Sequence, residues 1–510
     1  MSLSEYGGVA PRQFLINALW NIFGRVAPVF VAIATTPKLI HMLGLSRWGV
    51  FTILLTFIGT FGIFDLGLGR ALSRAVATGD HDKEMDVDTK DLVYTGMVTL
   101  TGIGVIAAIV CSIISRIWVE HGMKIPDSLK PEVLHAFYAF SATAPLVIIN
   151  AVLWGILTGR QAYKQTNLIN IPISIMYYVG PLLMLYVWNS LVGIVFVLAL
   201  CRIWMAVAYL RLLNRLLPEL RTATFRARLL KPLLEYGGWM TVSNIVYPLL
   251  GYLDRFVISI VIPAARVAFY TTPSDAVSRF NMFSGSINAS AFTAISSNYA
   301  RNPTRTCDLY KTSVISISII LMPLCLMTAM FSETILSLWI DPAFAAKSAL
   351  AMTILCLGVF LSGADSITAT FLEAIGRPDI GTKISIVEIL LYIPLLYIMA
   401  FHFDIVGASV AWSFRYVLDY LIRLFICMNV YPVLRHNFSR ILVTVILCSA
   451  TILSALIPAS YCWRVVLSVS ELAFFGAFVW FYALTVDERE HVSGPIATLL
   501  ARARRIIKRA

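Results

Sequence analysis

The chain has little charge and no segment long enough to form a separate soluble domain. Only 13% of its 510 residues are Asp, Glu, Lys or Arg, whereas a soluble protein carries about 25%. The longest stretch between apolar runs is a basic connector at 213–235. A phosphate-binding Walker motif is missing, so we predict no ATP hydrolysis. These absences exclude a globular nucleotide-binding or glycosyl-transferring enzyme.

Motifs for metals and disulfides are missing as well. The 8 cysteines are scattered, and none lies in a CxxC pair. The acidic segment 80–86 lacks the glycine of a calcium loop, and the DxD-like residues 86–88 have no α/β domain around them. We therefore expect no bound metal, no disulfide and no cofactor, and we expect a protein without enzymatic activity.

Apolar runs long enough to cross a bilayer recur from end to end. Hydrophobic residues make up 59% of the chain, the mean hydropathy is +0.80, and a membrane-spanning helix needs about 20 such residues. Fourteen runs meet this length, which predicts an all-α integral membrane protein. The runs are 14–36, 48–69, 92–115, 134–157, 168–188, 191–213, 236–262, 268–293, 312–331, 347–372, 381–401, 405–429, 441–462 and 465–485.

The distribution of Lys and Arg predicts the orientation. With the amino terminus inside, the cytoplasmic segments hold 26 of the 40 Lys and Arg residues and the outside loops hold 8. The excess of positive charge lies on the cytoplasmic side of membrane proteins. We therefore expect both termini in the cytoplasm and read the net charge of +12 as a property of the membrane face, not of nucleic-acid binding. A signal-peptide site at residues 32–34 is a weaker interpretation, because Arg25 interrupts its apolar run.

The two halves of the chain resemble each other. Trp20 and Trp239 are 219 positions apart, and the pair Gly159-Arg160 recurs at Gly376-Arg377. Because six spans separate the matched positions, the halves have one orientation, with substrate expected between them. The predicted division is an amino-terminal bundle at 1–212, a cytoplasmic linker at 213–235, a carboxyl-terminal bundle at 236–430, and two peripheral helices with a basic tail at 431–510.

Six arginines lie well inside these apolar runs, more than two residues from either end, and each needs a partner or a wet cavity. An arginine at the bilayer centre costs roughly 2.5–3.5 kcal/mol even on lenient scales. They are Arg25, Arg202, Arg255, Arg279, Arg415 and Arg423. Asn17, Asn21 and Arg25 are spaced by four and share one helical face. Arg25 either pairs with a carboxylate of another span or offers its planar donors to a phosphate.

Acids accompany several of the other arginines. Asp275 and Arg279 are four residues apart and can pair along one face, and Arg415 and Asp419 repeat this spacing. Asp254 and Arg255 are neighbours that point about 100° apart, so they do not simply neutralise each other. They lie near the outer end of their span, which suggests a role in a gate or vestibule. Asp365 and Glu388 are either counter-ions of the arginines or groups that change protonation during transport. Arg202 has no obvious partner and ranks below the others.

Five stretches together resemble the polysaccharide transporters of the multidrug/oligosaccharidyl-lipid/polysaccharide (MOP) exporter superfamily. They are residues 17–44 (NALW through PKL to LG), 64–71 (FDLGLGRA), 157–161 (LTGRQ) with Asn167, 253–256 (LDRF) and 407–409 (GAS). Each stretch is degenerate, so the resemblance depends on their order and spacing over the whole chain. It implies two six-helix bundles facing each other in a V around a central cavity, with two peripheral helices.

The resemblance also implies a flippase of a bacterial inner membrane. Its cargo would be an undecaprenyl-pyrophosphate-linked oligosaccharide for O-antigen, exopolysaccharide or capsule synthesis. The expected partners are this cargo, membrane lipids, a polysaccharide polymerase and chain-length proteins. The candidate substrate-binding residues are Arg25, Arg279, Arg415, Asn17, Asn21 and Arg255. The candidate coupling or counter-ion residues are Asp275, Asp365, Asp419, Asp254 and Glu388.

Two alternatives remain. A cation-coupled drug exporter of the same superfamily would take cationic aromatic substrates and would tolerate Arg25→Ala. In such exporters the first span commonly carries an acid, whereas Arg25 is the only charge in that span here. A membrane-embedded polymerase or glycosyltransferase would usually need a sizeable outside domain, and the largest outside segment, about 116–133, is small.

Overall fold

The structure, a computed structural model, describes residues 11–61, 89–230 and 249–484, with the isolated positions 68, 69, 72, 76, 246 and 489. For residues 11–27 and 58–60 it describes the backbone and not the side chains. Every regular element of this described part is a helix, and no strand occurs in it.

The helices are numbered along the chain. They are α1 (Pro11–Thr60), α2 (Thr89–Ile117), α3 (Lys130–Ser141), α4 (Ala144–Gly159), α5 (Tyr163–Val187), α6 (Leu191–Leu216), α7 (249–261), α8 (Ala264–Ser278), α9 (Asn281–Asn298), α10 (Pro303–Met330), α11 (Ser332–Trp339), α12 (Pro342–Ala374), α13 (Pro378–Val430), α14 (Phe438–Ser454) and α15 (Tyr461–Phe478).

Ten helical segments of the described part are long and apolar enough to cross a membrane. On α2 the outward face consists of exposed isoleucines, among them Ile106, Ile109 and Ile113. So large an exposed apolar face is unfavourable in water, and lipid acyl chains would cover it. The chain is a multi-pass, all-α membrane protein, as predicted. The count of fourteen spans and the two bundles in a V stay predictions.

The shortest predicted connector, between the fifth and sixth runs, is a true helix boundary. Helix α5 ends at Val187, and α6 begins at Leu191. Ser190 caps α6, since its Oγ accepts a hydrogen bond from Val192 N at 3.2 Å. The Glu132 carboxylate accepts a second bond from the Leu191 amide at 2.8 Å. These two acceptors satisfy amides that a helix start leaves unpaired.

Two predicted connectors are reduced to sharp kinks inside long helices. Helix α1 kinks at Gly44, with φ 72°, and α13 kinks at Asp404, with φ 55°. Positive φ is easy for glycine, and aspartate is among the few other residues that adopt it. The kinks fall between the predicted first and second spans and between the eleventh and twelfth.

Helix α13 folds back on itself at its kink. Glu388 and Arg415 are 27 positions apart but form an ion pair, whereas a straight helix would separate them by about 40 Å. The reversal depends on Gly407, because a Cβ there would lie 1.9 Å from the carbonyl oxygen of Met399. The two arms of α13 therefore correspond to the predicted spans 381–401 and 405–429.

The chain forms two compact units, Met1–Thr271 and Thr272–Ala510, with the boundary inside α8. The first unit has a core of leucines, isoleucines and valines contributed mainly by α2, α4 and α6. In the second unit α12 is the central helix, with α9, α10, α11 and α13 packed against it. Helix α7, placed in the carboxyl-terminal bundle by the sequence, falls within the first unit. The four-part division at 212, 235 and 430 stays a prediction.

Helices α4 and α12 end in the same way. Each is followed by a left-handed residue, Gln161 (φ 58°) or Gly376 (φ 79°). The next amide, of Ala162 or Arg377, bonds to the carbonyl five residues earlier, at 3.0 and 2.9 Å. These are Schellman-type caps. The equivalent residues are 215 positions apart, so the Gly-Arg pairs matched in the sequence at a spacing of 217 occupy different positions in the two caps.

Candidate functional site

Five charged side chains of α12 and α13 form a buried network in the second unit. Arg423 pairs through Nη1 with Asp365 of α12, and its Nη2 lies 3.1 Å from Asp419 Oδ2, one helical turn away. Arg415 pairs through Nε with Glu388 on the other arm of α13. The five side chains are only 2–11% exposed. The spacing had predicted Arg415 and Asp419 as partners. In the structure Arg415 pairs with Glu388, and Asp419 pairs with Arg423.

Two tyrosines complete the environment of Arg415. Its guanidinium carbon lies 5.1 Å from the centre of the Tyr392 ring and 4.7 Å from that of Tyr416. Both distances are within the range of cation–π attraction. These tyrosines were not among the residues predicted from the sequence. A signal was present, because Tyr392 lies four residues after Glu388 and therefore on the same helical face.

The network contains three carboxylates and two guanidinium groups. If all five are ionised, it has one net negative charge. One oxygen of each carboxylate, Asp365 Oδ1, Glu388 Oε2 and Asp419 Oδ1, has no hydrogen-bond partner in the described structure. An uncompensated buried charge is costly. The arrangement can therefore accept one more positive charge, for which a proton on a carboxylate is the simplest form.

Close packing of α12 against α13 positions this network. Gly358 of α12 faces Trp412 of α13, and a Cβ at position 358 would lie 2.5 Å from that ring. Ser413 Oγ donates a hydrogen bond to the carbonyl of Ile354 at 2.8 Å. These contacts bring the helices close enough for the short Asp365 side chain of α12 to reach Arg423 of α13.

Arg279 lies at a break in the predicted eighth span. The sequence predicted one continuous helix over 268–293, and this is wrong at Arg279, because α8 ends at Ser278 and α9 begins at Asn281. The amides of Arg279 and Phe280 bond to carbonyls three residues earlier, at 3.3 and 3.0 Å, which is tighter than α-helical spacing. The Arg279 side chain is exposed, and Asp275 is half-buried.

Asp254 and Arg255 of α7 contact different elements of the first unit. Asp254 is 2% exposed and accepts a hydrogen bond from the hydroxyl of Tyr270 at 2.7 Å. Arg255 Nη1 donates to Thr56 Oγ1 of α1 at 3.1 Å. The two neighbours are thus directed apart, as their helical spacing requires.

Around Arg255, α7 and α8 lie tightly against α1. Thr52 and Thr271 share a hydrogen bond, with their Oγ1 atoms 3.0 Å apart. Gly49 lies against the backbone of Ala264, where a Cβ would be 1.9 Å from the carbonyl oxygen. The ring of Phe256 packs against Phe57 and Trp118, with ring centres 5.4 and 5.3 Å apart. We call this set of contacts the α1–α8 seam.

Three predicted binding residues fall where side chains are not described. Asn17, Asn21 and Arg25 lie on α1, but their side chains are outside the described part of the structure. Among the predicted site residues, the structure pairs Glu388 with Arg415, and both Asp365 and Asp419 with Arg423. The substrate-binding and coupling roles of all these residues stay predictions.

The family described as "Polysaccharide biosynthesis protein" matches residues 14–298, more than half of the chain. The chain belongs to this family. A second family, MatE, matches residues 240–398. The relationship to the polysaccharide transporters of the MOP superfamily, predicted from five degenerate stretches, is confirmed.

Two relatives match most of the chain, and one of them is named as a transporter. A protein of Shigella flexneri named "Putative O-antigen transporter" is 27% identical over 420 residues, which cover 80% of this chain and 96% of the relative. An uncharacterized membrane protein of Methanocaldococcus jannaschii is 22% identical over 409 residues, covering 76% of this chain and 78% of its own.

Solved structures share the fold. The lipid II flippase MurJ in an inward closed conformation has a TM-score of 0.67 at 13% identity, covering 91% of this chain and 99% of that one. An inward-facing multidrug resistance transporter of the MATE family has a TM-score of 0.64 at 16% identity, covering 84% and 97%. At these identities the likeness concerns the fold alone.

Proposed function

We propose that the protein is a flippase that moves undecaprenyl-pyrophosphate-linked oligosaccharides from the inner to the outer leaflet of a bacterial inner membrane, for cell-surface polysaccharide synthesis. The observation that carries the proposal is the exposed Arg279 at the break between α8 and α9, in a chain of a polysaccharide biosynthesis family. Broken membrane helices with charged residues at the break line the substrate sites of many transporters.

The physical problem for such a flippase is the sugar headgroup. Each hydroxyl that loses its hydrogen bonds in hydrocarbon costs several kcal/mol, so the glycan needs a hydrated path. Arg25, Arg279 and Arg415 would hold the pyrophosphate, with Asn17 and Asn21 near sugar hydroxyls. An inside-negative potential favours outward movement of an anion by about 2.3 kcal/mol per charge per 100 mV.

Both termini would lie in the cytoplasm, and a polymerase and chain-length proteins would act downstream.

Arg415 needs a change of partner to take this role. In the structure the guanidinium of Arg415 forms an ion pair with Glu388. Protonation of Glu388 would weaken that pair and free Arg415 for a phosphate, which couples substrate binding to the charge of the network. Asp365 and Asp419 would stay paired with Arg423 during this step. Asp275 would be the counter-ion of Arg279.

The α1–α8 seam would serve as the outer closure of the transport path. The predicted topology places two connectors outside the membrane, 37–47 just before Gly49 and 263–267 around Ala264. Release of the glycan to the outer leaflet would require these contacts to separate. Arg255, bonded to Thr56, and Asp254, bonded to Tyr270, would be the polar members of this gate.

The experiment is glycan surface display in a strain that lacks its own flippase. Arg25→Ala, Arg279→Ala and Arg415→Ala are compared at matched membrane expression, with Arg301→Ala as the control, because Arg301 is an exposed turn residue. We expect at least a tenfold loss of display for Arg279→Ala and normal display for Arg301→Ala, since a bidentate phosphate contact is worth more than 1.4 kcal/mol. Normal display from all three would remove the proposed phosphate site.

A second candidate function is cation-coupled export of drugs, favoured by the MatE match at 240–398. It predicts that expression confers resistance to cationic aromatic compounds and that Arg279→Ala leaves this resistance intact. Resistance without any effect on glycan display would support export of drugs over glycan transport.

A further inference from the structure

Arg202 is a buried cation whose guanidinium has no acidic partner among the residues that the structure describes. The residue is only 8% exposed. Its guanidinium carbon lies 5.4 Å from the ring centre of Tyr177, and its backbone carbonyl accepts a hydrogen bond from Asn150 Nδ2 at 3.0 Å. Among the described residues, the ionisable groups that act on its charge are Tyr177 and Cys201, neither of which is a carboxylate. Arg415 and Arg423, by contrast, both have carboxylate partners.

Arg202 faces the interior of the first unit and not the lipid. The residues one and two turns along its face of α6, Leu198, Ala206 and Tyr209, are all buried. The lipid side of the same helix carries exposed Ile203 and Trp204. The charged end therefore cannot reach the headgroups along the outer surface of the helix. Arg202 follows the first residue of α6 by 11 positions, or about 16 Å, which is near the middle of the span.

Beside Arg202, the guanidinium and the Tyr177 hydroxyl donate no hydrogen bond within the described structure, and Asn150 Oδ1 accepts none. A guanidinium has five N–H donors and no acceptor. The Tyr177 hydroxyl is buried and has no hydrogen-bond partner in the described structure. Both residues thus need an acceptor at a depth where an unpaired charge costs several kcal/mol. A cation and a hydroxyl without an acceptor are the parts of an anion site.

We propose that Arg202 and Tyr177 bind one small inorganic anion of the size and charge of chloride within the first unit. A single guanidinium matches a single negative charge, whereas a pyrophosphate would bring at least two charges against one cation. The site goes beyond the proposed function, because it neutralises a charge inside the helices α4, α5 and α6 and does not contact the glycan carrier.

The test uses the purified full-length protein in detergent, with chloride replacing gluconate at constant ionic strength. We expect the apparent melting temperature to rise with chloride along a saturable curve, by about 2 °C or more. Arg202→Gln should abolish this dependence, and the surface variant Arg301→Gln should keep it. A wild-type protein that does not respond to chloride, or an Arg202→Gln variant that responds as the wild type does, would overturn the proposal.

Tyr177→Phe keeps the test decisive if Arg202→Gln does not fold. This variant retains the aromatic ring beside Arg202 and removes only the hydroxyl. We expect about a tenfold higher apparent Kd for chloride, as for loss of a hydrogen bond to a charged group. Crystals soaked in bromide should show an anomalous peak within hydrogen-bond distance of the Arg202 guanidinium, and a saturated crystal without that peak contradicts the site. Neither readout depends on transport of a glycan.

Discussion

At the scale of single residues, the buried arginines differ in how their charge is balanced. Arg423 has two carboxylate partners, Arg415 has one carboxylate and two aromatic rings, and Arg202 has one ring. Removing one partner of a buried ion pair leaves the other charge desolvated, and this costs about 3–5 kcal/mol. The number of groups that a substitution leaves without a partner should therefore determine its cost.

Two substitutions in the network should differ in their effect on stability. Arg423→Gln leaves both Asp365 and Asp419 without their cation. Asp365→Asn leaves Arg423 still paired with Asp419 at 3.1 Å. We expect Arg423→Gln to lower the apparent melting temperature more than Asp365→Asn does, as measured on detergent-purified protein.

The double variant Arg423→Gln/Asp365→Asn serves as the control for this prediction. It should lose less stability than the sum of the two single variants, because residues in one ion pair are coupled. Equal effects of the two single variants, or strict additivity, would contradict the network as described.

At the scale of elements, glycines decide where long helices can reverse or pack closely. Gly407 permits the fold-back of α13, because only a residue without a Cβ fits against the carbonyl of Met399. Gly358 similarly permits the contact between α12 and Trp412. Without these two close approaches, Glu388 could not reach Arg415 and Asp365 could not reach Arg423. The element scale therefore determines whether the charged network exists.

Two matched glycine substitutions test this interpretation. Gly407→Ala should lower both the yield and the apparent melting temperature, because a Cβ would lie 1.9 Å from a backbone oxygen. Gly476→Ala on α15 should be neutral or stabilising by about 0.5–1 kcal/mol, since no packed neighbour in the described part of the chain lies within 4 Å of the position that a Cβ would take. Thermal unfolding monitored by size-exclusion chromatography compares the two, and an equal response would refute the fold-back at Gly407.

At the scale of the whole molecule, the proposed role of the α1–α8 seam as an outer closure requires the seam to open during transport. Thr52 and Thr271 have hydroxyl oxygens 3.0 Å apart across the α1–α8 seam. Cysteines at both positions should form a disulfide in a background whose native cysteines are replaced. We expect the cross-linked protein to lose glycan display, because the seam can no longer separate.

Reduction and the single variants are the controls for the cross-link. Display should return after treatment with a reductant, and Thr52→Cys and Thr271→Cys alone should each keep it. A fully cross-linked protein that still displays glycan at the normal level would show that the seam does not open during transport.

Much of the architecture was predictable, because the thickness of the bilayer sets the length of each membrane-spanning apolar run. Apolar runs of about 20 residues had to be helices, since only helices satisfy every backbone group in hydrocarbon within one segment. The boundary at Asn189-Ser190 followed from two polar residues alone. The break at Arg279 did not, because residues 279–280 read as part of a helix, with no proline or glycine at that point to signal its end.

The candidate site was predictable in its residue types and not in its pairings. Helical spacing suggested Arg415 with Asp419, since residues four apart on a helix are neighbours. The actual partner, Glu388, lies 27 positions away and comes close only because α13 reverses at Asp404. Tyr416 beside Arg415 and Tyr177 beside Arg202 were likewise invisible to spacing within one helix.

The sequence by itself determined that this protein is a helical, multi-pass membrane protein with cations in its spans, because hydrophobicity and the cost of buried charge act along the chain. Its membership of a polysaccharide transport family could also be anticipated from short ordered stretches. Only the tertiary structure decided which charges neutralise each other and which, like Arg202, remain without an acid among the described residues. Those pairings depend on kinks and close helix contacts that join distant residues, and no local pattern encodes such distances.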